Sequence, residues 1–575
     1  MLRLSAILSC LVWSLSVCSV SLAQSPTDFD VTIVSSKLNQ TELEKKDQDY
    51  LRGVEFWKSV ADRAGLRYRV AGDYELDNDA GNQAVYVFHM VERLSDAGRA
   101  NIEKLVERGA SLIIVGMLGR YDPWGGEVSS LPARWLEMEG VQDYTPTEYA
   151  YFAARGGSLA ATAAPPGYRF EYEYGYPATL CRTRWAQAYH MNWLMLPFPN
   201  ATDFEANTIA AARVLGRSRI LWFGLAVDRV GPGNDEAKGY MRDLALAGLK
   251  WAARQPVAAR CHWPECAPGA GVVTGDIEQD FGNASNAALI CDKEDVKGSF
   301  FLVGGQVARD YPDTVVALRE NGEIGSHSAT HKGYTGLPYE EQLADMVESV
   351  KVLEELGVRP PVGFRPPMEQ YDVNTVKAVI TTGLRFIYGN IDYDRMYPAV
   401  TRVDGVPVYQ FARIVLDDYN MMTALGMKDK SQYREAYQGE IARVRHFWGL
   451  FPFSFHSNFL SVPDAVDVVR SVIRVMKEKG LWIATFGQIV DWVELKNIAE
   501  VTSTASGGVV SVRVRNGSSR EVRKFPVQYF PPSDVKTVRL LATPDTGVDV
   551  VSRGDSGLVF LVDLKPAEEK EILVQ

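Results

Sequence analysis

The chain has 575 residues, too many for one ordinary domain, and its 46% hydrophobic content is that of a globular protein. Lys and Arg total 61 against 72 Asp and Glu, a formal charge of −11 that argues against nucleic acid or an anionic membrane as partner. A neutral polymer is compatible with it. Residues 1–24 combine one positive charge at Arg3, an apolar stretch from Leu4 to Val20, and small residues Ser21 and Ala23 at −3 and −1 of a cut after Ala23. This predicts a secretory signal peptide over 1–23, hence a secreted, periplasmic or cell-surface protein. Acylation of Cys18 is the alternative, disfavoured by Val17 before it. No later segment is long and apolar enough to span a bilayer. The mature chain keeps Cys181, Cys261, Cys266 and Cys291, an even number that permits disulfides in an exported protein. Cys261 and Cys266 flank only four residues, and a local disulfide is favoured over zinc because the two-residue ligand spacing is absent.

An α/β multidomain protein is expected. The first domain, 28–259, alternates strand-like and helix-like segments, which predicts an open α/β sandwich around a parallel sheet. Strands are expected at 31–34, 84–88, 111–115 and 219–225, and helices at 50–65, 96–108 and 236–254. In the first helix Leu51, Val54, Trp57, Val60 and Ala61 are assigned to the buried face. The phrase from Val85 to Gly116 is similar to class I glutamine-amidotransferase-like domains, whose active members carry a cysteine on the turn after the corresponding strand. Here the turn reads Gly116-Met117-Leu118-Gly119, with no nucleophile, so a non-catalytic domain is expected. The aromatics Tyr144, Tyr149, Tyr151, Phe152, Phe170, Tyr172, Tyr174 and Tyr176 offer either sugar stacking or ordinary packing, and packing is the commoner use.

The second domain, 271–496, again alternates, with strands at 271–274, 298–303, 386–388 and 453–455 and helices at 339–356 and 463–479. The third, 499–575, has short strands at 509–514, 522–529, 538–541 and 557–562 punctuated by Gly, Ser and Pro, which predicts a small β-sandwich.

The second domain carries the chemistry. Asp276, Glu278 and Asp280 alternate at the end of a strand, so all three point one way while the strand lasts. Alone, such a cluster is more often a solvated turn. His327 and His331 are four apart, which on a helical turn presents two imidazoles to one ion, and only seven histidines exist in the chain. Arg365-Pro366-Pro367 and His456 follow. An acid cluster, an imidazole pair, an arginine and a last imidazole are the parts of a metal-assisted amide hydrolase.

The order and wording of these segments resemble the polysaccharide deacetylase family, of the NodB-homology or carbohydrate esterase 4 type. Gly298 to Val303 is similar to its second strand, Asn321 to His327 to its histidine motif, Gly363 to Pro367 to its arginine motif and Ser454-Phe455-His456 to its last motif. The resemblance implies a deformed (β/α) barrel of NodB type and a divalent metal, most simply Zn²⁺. Asp276 would be the base, Glu278, His327 and His331 the ligands, Arg365 the group that positions Asp276, and His456 the acid that protonates the departing amine. The substrate implied is an acetylated amino-sugar polysaccharide. Two departures stand out. The family's Thr-Phe-Asp-Asp reads Thr274-Gly275-Asp276-Ile277-Glu278, which leaves Asp280 as a rival ligand. The support for the last histidine falls to Asp392 or Asp394 of Asp392-Tyr393-Asp394, without the usual tryptophan. A glycan-binding protein with a degenerate site, or an O-acetyl esterase, are the alternatives.

Overall fold

The computed structural model describes residues 29–46, 48–78, 81–145, 149–173, 176–190, 204–230, 235–389, 395–532, 541, 547–552 and 558–575. The expected signal peptide, Asp392, Asp394, Tyr174 and most of the 538–541 strand lie outside them.

Five strands of the first domain pair in parallel, in the order Tyr68–Ala71, Val31–Val34, Val85–His89, Ser111–Val115, Ser218–Phe223. The sheet then turns antiparallel through Thr208–Leu215, Ala186–His190, Tyr149–Ala154 and Tyr168–Glu171. A sheet parallel throughout was the expectation. The difference lies in the aromatic stretch, which supplies strands of this second half, with Phe152, Tyr172 and Tyr176 buried. The helix Tyr50–Ala64 starts where the Asp49 side chain accepts from Arg52 N–H and stops at Gly65 in the left-handed region. Its buried face is Tyr50, Val54, Trp57, Val60 and Ala61, and Leu51 points to solvent at 45% exposure, against expectation. Tyr50 takes the inner position because its hydroxyl meets Ser36 N–H at 2.9 Å.

In the second domain the parallel order is Val406–Ala412, Phe386–Gly389, Gly363–Phe364, Gly322–Ser326, Gly298–Leu302, Ala270–Ile277, Leu450–His456, and Trp482–Ile483 also pairs with Ala270–Ile277. The sheet is not a closed barrel. At one edge the chain folds back antiparallel, Ala399–Val403 on Val406–Ala412, through an Asp404-Gly405 turn with φ of 51° and 82°. The helix expected at 463–479 is shorter, Asp467–Glu478.

The third region contributes two sheets: Glu500–Ser506, Val509–Arg515 and Glu569–Val574, and a second of Val522–Phe530, Leu558–Leu564 and Val548–Ser552. The second sheet is extended by Val257–Arg260, expected to close the first domain, which pairs antiparallel with Val522–Phe530. Cys261 and Cys266 form a disulfide directly after that strand, with Cα atoms 5.2 Å apart. Cys181 and Cys291 are free and buried. Among the described residues no helix is long and apolar enough to cross a membrane.

Candidate active site

Register in the central sheet assembles the site. Ala270–Ile277 and Leu450–His456 run parallel with Asp276 opposite His456, so the two side chains sit side by side at the carboxyl ends of adjacent strands. Leu302 pairs with Ser326 and Ser326 with Phe364, which brings His327 and Arg365, one residue on, to the same edge. Strand carboxyl ends are where parallel α/β folds gather chemistry.

Glu278 Oε1 lies 3.2 Å from His327 Nε2, and its Oε2 lies 3.3 Å from His331 Nε2. The histidine pair does not sit on a helix, as its spacing suggested. The Gly322–Ser326 strand ends one residue before His327, and the loop doubles back through Ser328 and His331 at φ of 67° and 57°. Ser328 Oγ accepts from His331 N–H at 2.7 Å, and Asp345 accepts from Ala329 N–H and the Tyr334 hydroxyl. A loop pinned this way brings positions four apart together as effectively as a helical turn. His327 Nδ1 donates to the Arg365 carbonyl at 2.6 Å, which leaves Nε2 to face Glu278.

Asp276 is buried, and Arg365 Nε donates to both its oxygens at 3.2 and 3.1 Å. Arg365 stacks on Tyr388, 4.3 Å from the ring centre. Two successive left-handed residues, Met368 and Glu369, turn the chain after Pro367 and return Glu369 to Arg365 Nη2 at 2.9 Å. Glu369 also pairs with Arg413, whose Nη1 is 3.5 Å from Asp417. His456 Nε2 is 3.8 Å from Asp276 and 3.7 Å from Glu278, and its Nδ1 is 2.6 Å from Asp418. Asp418 also accepts from the backbone N–H groups of His456 and Leu460, at 2.9 and 3.2 Å. The buried Asp418 thus holds the place assigned in the sequence to Asp392 or Asp394. Asp280 is exposed, with φ of 44°, and belongs to neither group of clustered ligand atoms. Asp418, Glu369 and Arg413 were not picked out from the sequence.

The electrostatics follow from these contacts. Burial alone would raise Glu278, but contacts with His327 and His331, and the charges of His327 and His456, hold it well below the usual carboxylate range. Contact with Glu278 raises His331. Burial would lower His456, but Asp418, then Asp276 and Asp417, outweigh it and push its pKa up to about 10, so its Nε2 proton is present at neutral pH. We expect Asp418→Asn to lower the His456 pKa, because a neighbouring anion that favours the imidazolium is gone. The alkaline limb of the kcat/KM profile should move to lower pH by about one unit or more. A pH profile measured beside wild type checks this, and an unmoved alkaline limb would contradict it.

Among the described residues, two groups have ligand atoms that all lie within 4.8 Å of one another, Glu278/His327/His331 and Asp276/Glu278/His456. The first suits a divalent transition ion. A tetrahedral ion with bonds of about 2.0–2.1 Å separates its ligands by roughly 3.3 Å, close to the contacts that Glu278 makes. His331 Nε2 is buried and lacks a well-aligned hydrogen bond. In the second group Arg365 already occupies both oxygens of Asp276, and the His456 distances are longer.

Residues 281–387 match the polysaccharide deacetylase family model. The matched polysaccharide deacetylase segment holds His327, His331 and Arg365, while Asp276 and Glu278 precede it and His456 follows it. Among solved structures, the chain is similar to a carbohydrate deacetylase, Agd3, at 13% identity over 95% of this chain and 99% of that one, with a TM-score of 0.41. It is similar to a candidate polysaccharide deacetylase from Mycobacterium smegmatis at 19% identity, over 42% of this chain and 94% of that one, with a TM-score of 0.37. A carbohydrate esterase 4 pseudoenzyme from Bacillus anthracis matches at 16% identity, over 39% and 65% of the two chains, with a TM-score of 0.28. No curated protein matches. Likeness at this level says nothing about activity, which has to be argued from the side chains.

Proposed function

We propose that the chain is a secreted, metal-dependent deacetylase that removes N-acetyl groups from an extracellular or cell-wall amino-sugar polymer. The observation that supports this most is the Asp276–His456 pair, in register on adjacent strands beside the Glu278/His327/His331 set. An ion held by those three residues would supply Lewis acidity toward the amide carbonyl and make water more acidic. Asp276, fixed by Arg365, takes the proton of the attacking water as its oxygen bonds to the acetyl carbon. His456 presents Nε2–H toward the same space, because Asp418 holds Nδ1. It delivers that proton to the nitrogen as the C–N bond breaks, so a neutral amine departs rather than an amide anion. Acetate and a free amino sugar result. Glu369 and Arg413 keep Arg365 aimed at Asp276 from below.

The first domain supports a non-catalytic reading. The turn after Ser111–Val115 carries the buried Met117 where an amidotransferase would need a nucleophile.

The purified protein should carry about one divalent transition ion per chain, zinc being the simplest expectation. Elemental analysis of folded His327→Ala/His331→Ala against wild type tests the ligand set. The variant should retain little metal, and equal content in the two proteins would overturn the assignment.

A further inference from the structure

A cavity of about 650 Å³ lies away from the active site, where the three parts of the chain meet. Its walls come from the helix Asp235–Ala252, the strand Val257–Arg260, residues 395–400, the helix Phe486–Ile498 and the strand Glu500–Ser506. None of the residues assigned to the deacetylase chemistry lines it. Its volume is that of a small-ligand site, typically about 300–1,000 Å³.

Its charge is unbalanced. Lys496, Arg260 and Lys250 all line it, and among the described residues none has a carboxylate within ion-pair distance. The Lys496 ammonium donates to the Tyr397 hydroxyl at 3.0 Å and approaches His262 Nδ1 at 3.5 Å. The His262 ring offers a lone pair there, because its Nε2 donates to the Ala161 carbonyl at 2.8 Å. Among the described residues, these two neutral partners leave the third proton of the ammonium form without an acceptor. Arg260 Nη1 donates only to carbonyls, those of Lys496, Asn497 and Ala499. Two acids reach the walls, Asp243, which pairs with Arg63 at 3.3 Å, and Glu236, which accepts from the Tyr240 hydroxyl at 2.8 Å, and among the described residues neither forms an ion pair with the three cations. Cations partly withdrawn from water without a counter-charge are costly, and a bound anion offsets that cost.

We propose that this interdomain cavity binds a sugar-sized ligand bearing an oxyanion, a carboxylate or a phosphate, through Lys496, Arg260 and Lys250. The hydroxyl-bearing wall from Thr502 to Thr504 and the Tyr397 hydroxyl suit the ligand's own hydroxyls. The proposal is independent of the deacetylase reading. Burial, aided by the charge of Arg260, pushes Lys496 down to about 7. A bound anion reverses that, so binding at about pH 8 should take up a proton.

Calorimetry on the full mature chain at that pH, in two buffers of different ionisation enthalpy, tests the idea. The probes are glucuronate and glucose 6-phosphate, with uncharged glucose as control. At least one charged sugar should bind with proton uptake while glucose does not, and the preferred one tells carboxylate from phosphate as the source. Lys250→Met and Lys496→Met should each weaken that binding at least about tenfold, the loss of one charge-assisted contact. Lys250→Met should release acetate like wild type, which separates failure of this site from failure of the active site. If Lys496→Met does not fold, Lys250→Met decides. Charged sugars that bind no better than glucose, or variants that bind them like wild type, would overturn the proposal.

Discussion

Asp276→Asn should leave the protein folded and loaded with metal while its deacetylation rate falls about 10²–10⁴-fold, the usual worth of one general base. The substitution keeps the shape of the side chain and one oxygen that accepts from Arg365 Nε. Arg365 also retains Glu369 at 2.9 Å, so the buried guanidinium is not stranded without an anion. The asparagine lacks the capacity to take a proton from water. A change of leaving group should not repair the defect, because proton removal accompanies attack rather than departure. The measurements are metal content and initial rates side by side with wild type. A variant with rates near wild type would remove Asp276 from the chemistry, and one that loses its ion would move Asp276 into the ligand set.

His456→Ala carries the second large effect, a loss of about 10²–10⁴-fold through poor protonation of the departing nitrogen. The fold should survive, since Asp418 keeps its bonds from the backbone N–H groups of residue 456 and Leu460. An acetylated aniline or an aryl acetate ester, which leaves with less help, should restore part of the rate in His456→Ala and none in Asp276→Asn. Metal content decides a further point. Ligand atoms of His456, Asp276 and Glu278 also cluster, at the longer His456 distances of 3.8 and 3.7 Å. Loss of the ion from His456→Ala would mean that this second group is the ligand set.

Much of the central sheet was legible because its strands are apolar runs that end in polar, chemistry-bearing residues, as in Val272 to Asp276 and Phe451 to His456. Motif order then pointed to one site. Spacing was a weaker guide to local structure: the four-residue gap between His327 and His331 suits a helix, yet the chain realises it with a left-handed loop pinned by Asp345. Asp418 was hidden because it lies 38 residues before His456 and meets it only through packing of the helix Asp418–Thr423 under the strand. A trace of it is present in the sequence, where Asp417 caps that helix after an apolar run. Asp404-Gly405 is a hairpin signal that marks the antiparallel edge and argues against a simple ring of parallel strands. Val257–Arg260 joins a sheet formed some 270 residues later in the chain, a pairing no local pattern encodes.

The most direct test is acetate release from acetylated glucosamine oligomers by the purified protein, followed with and without a chelator and again after zinc is restored. The account predicts acetate and free amine in equal amounts, loss of both on chelation, recovery with zinc, and near-silence in metal-loaded Asp276→Asn. Folded, zinc-loaded wild-type protein that releases no acetate from these oligomers, or a release that is the same in Asp276→Asn, would contradict it.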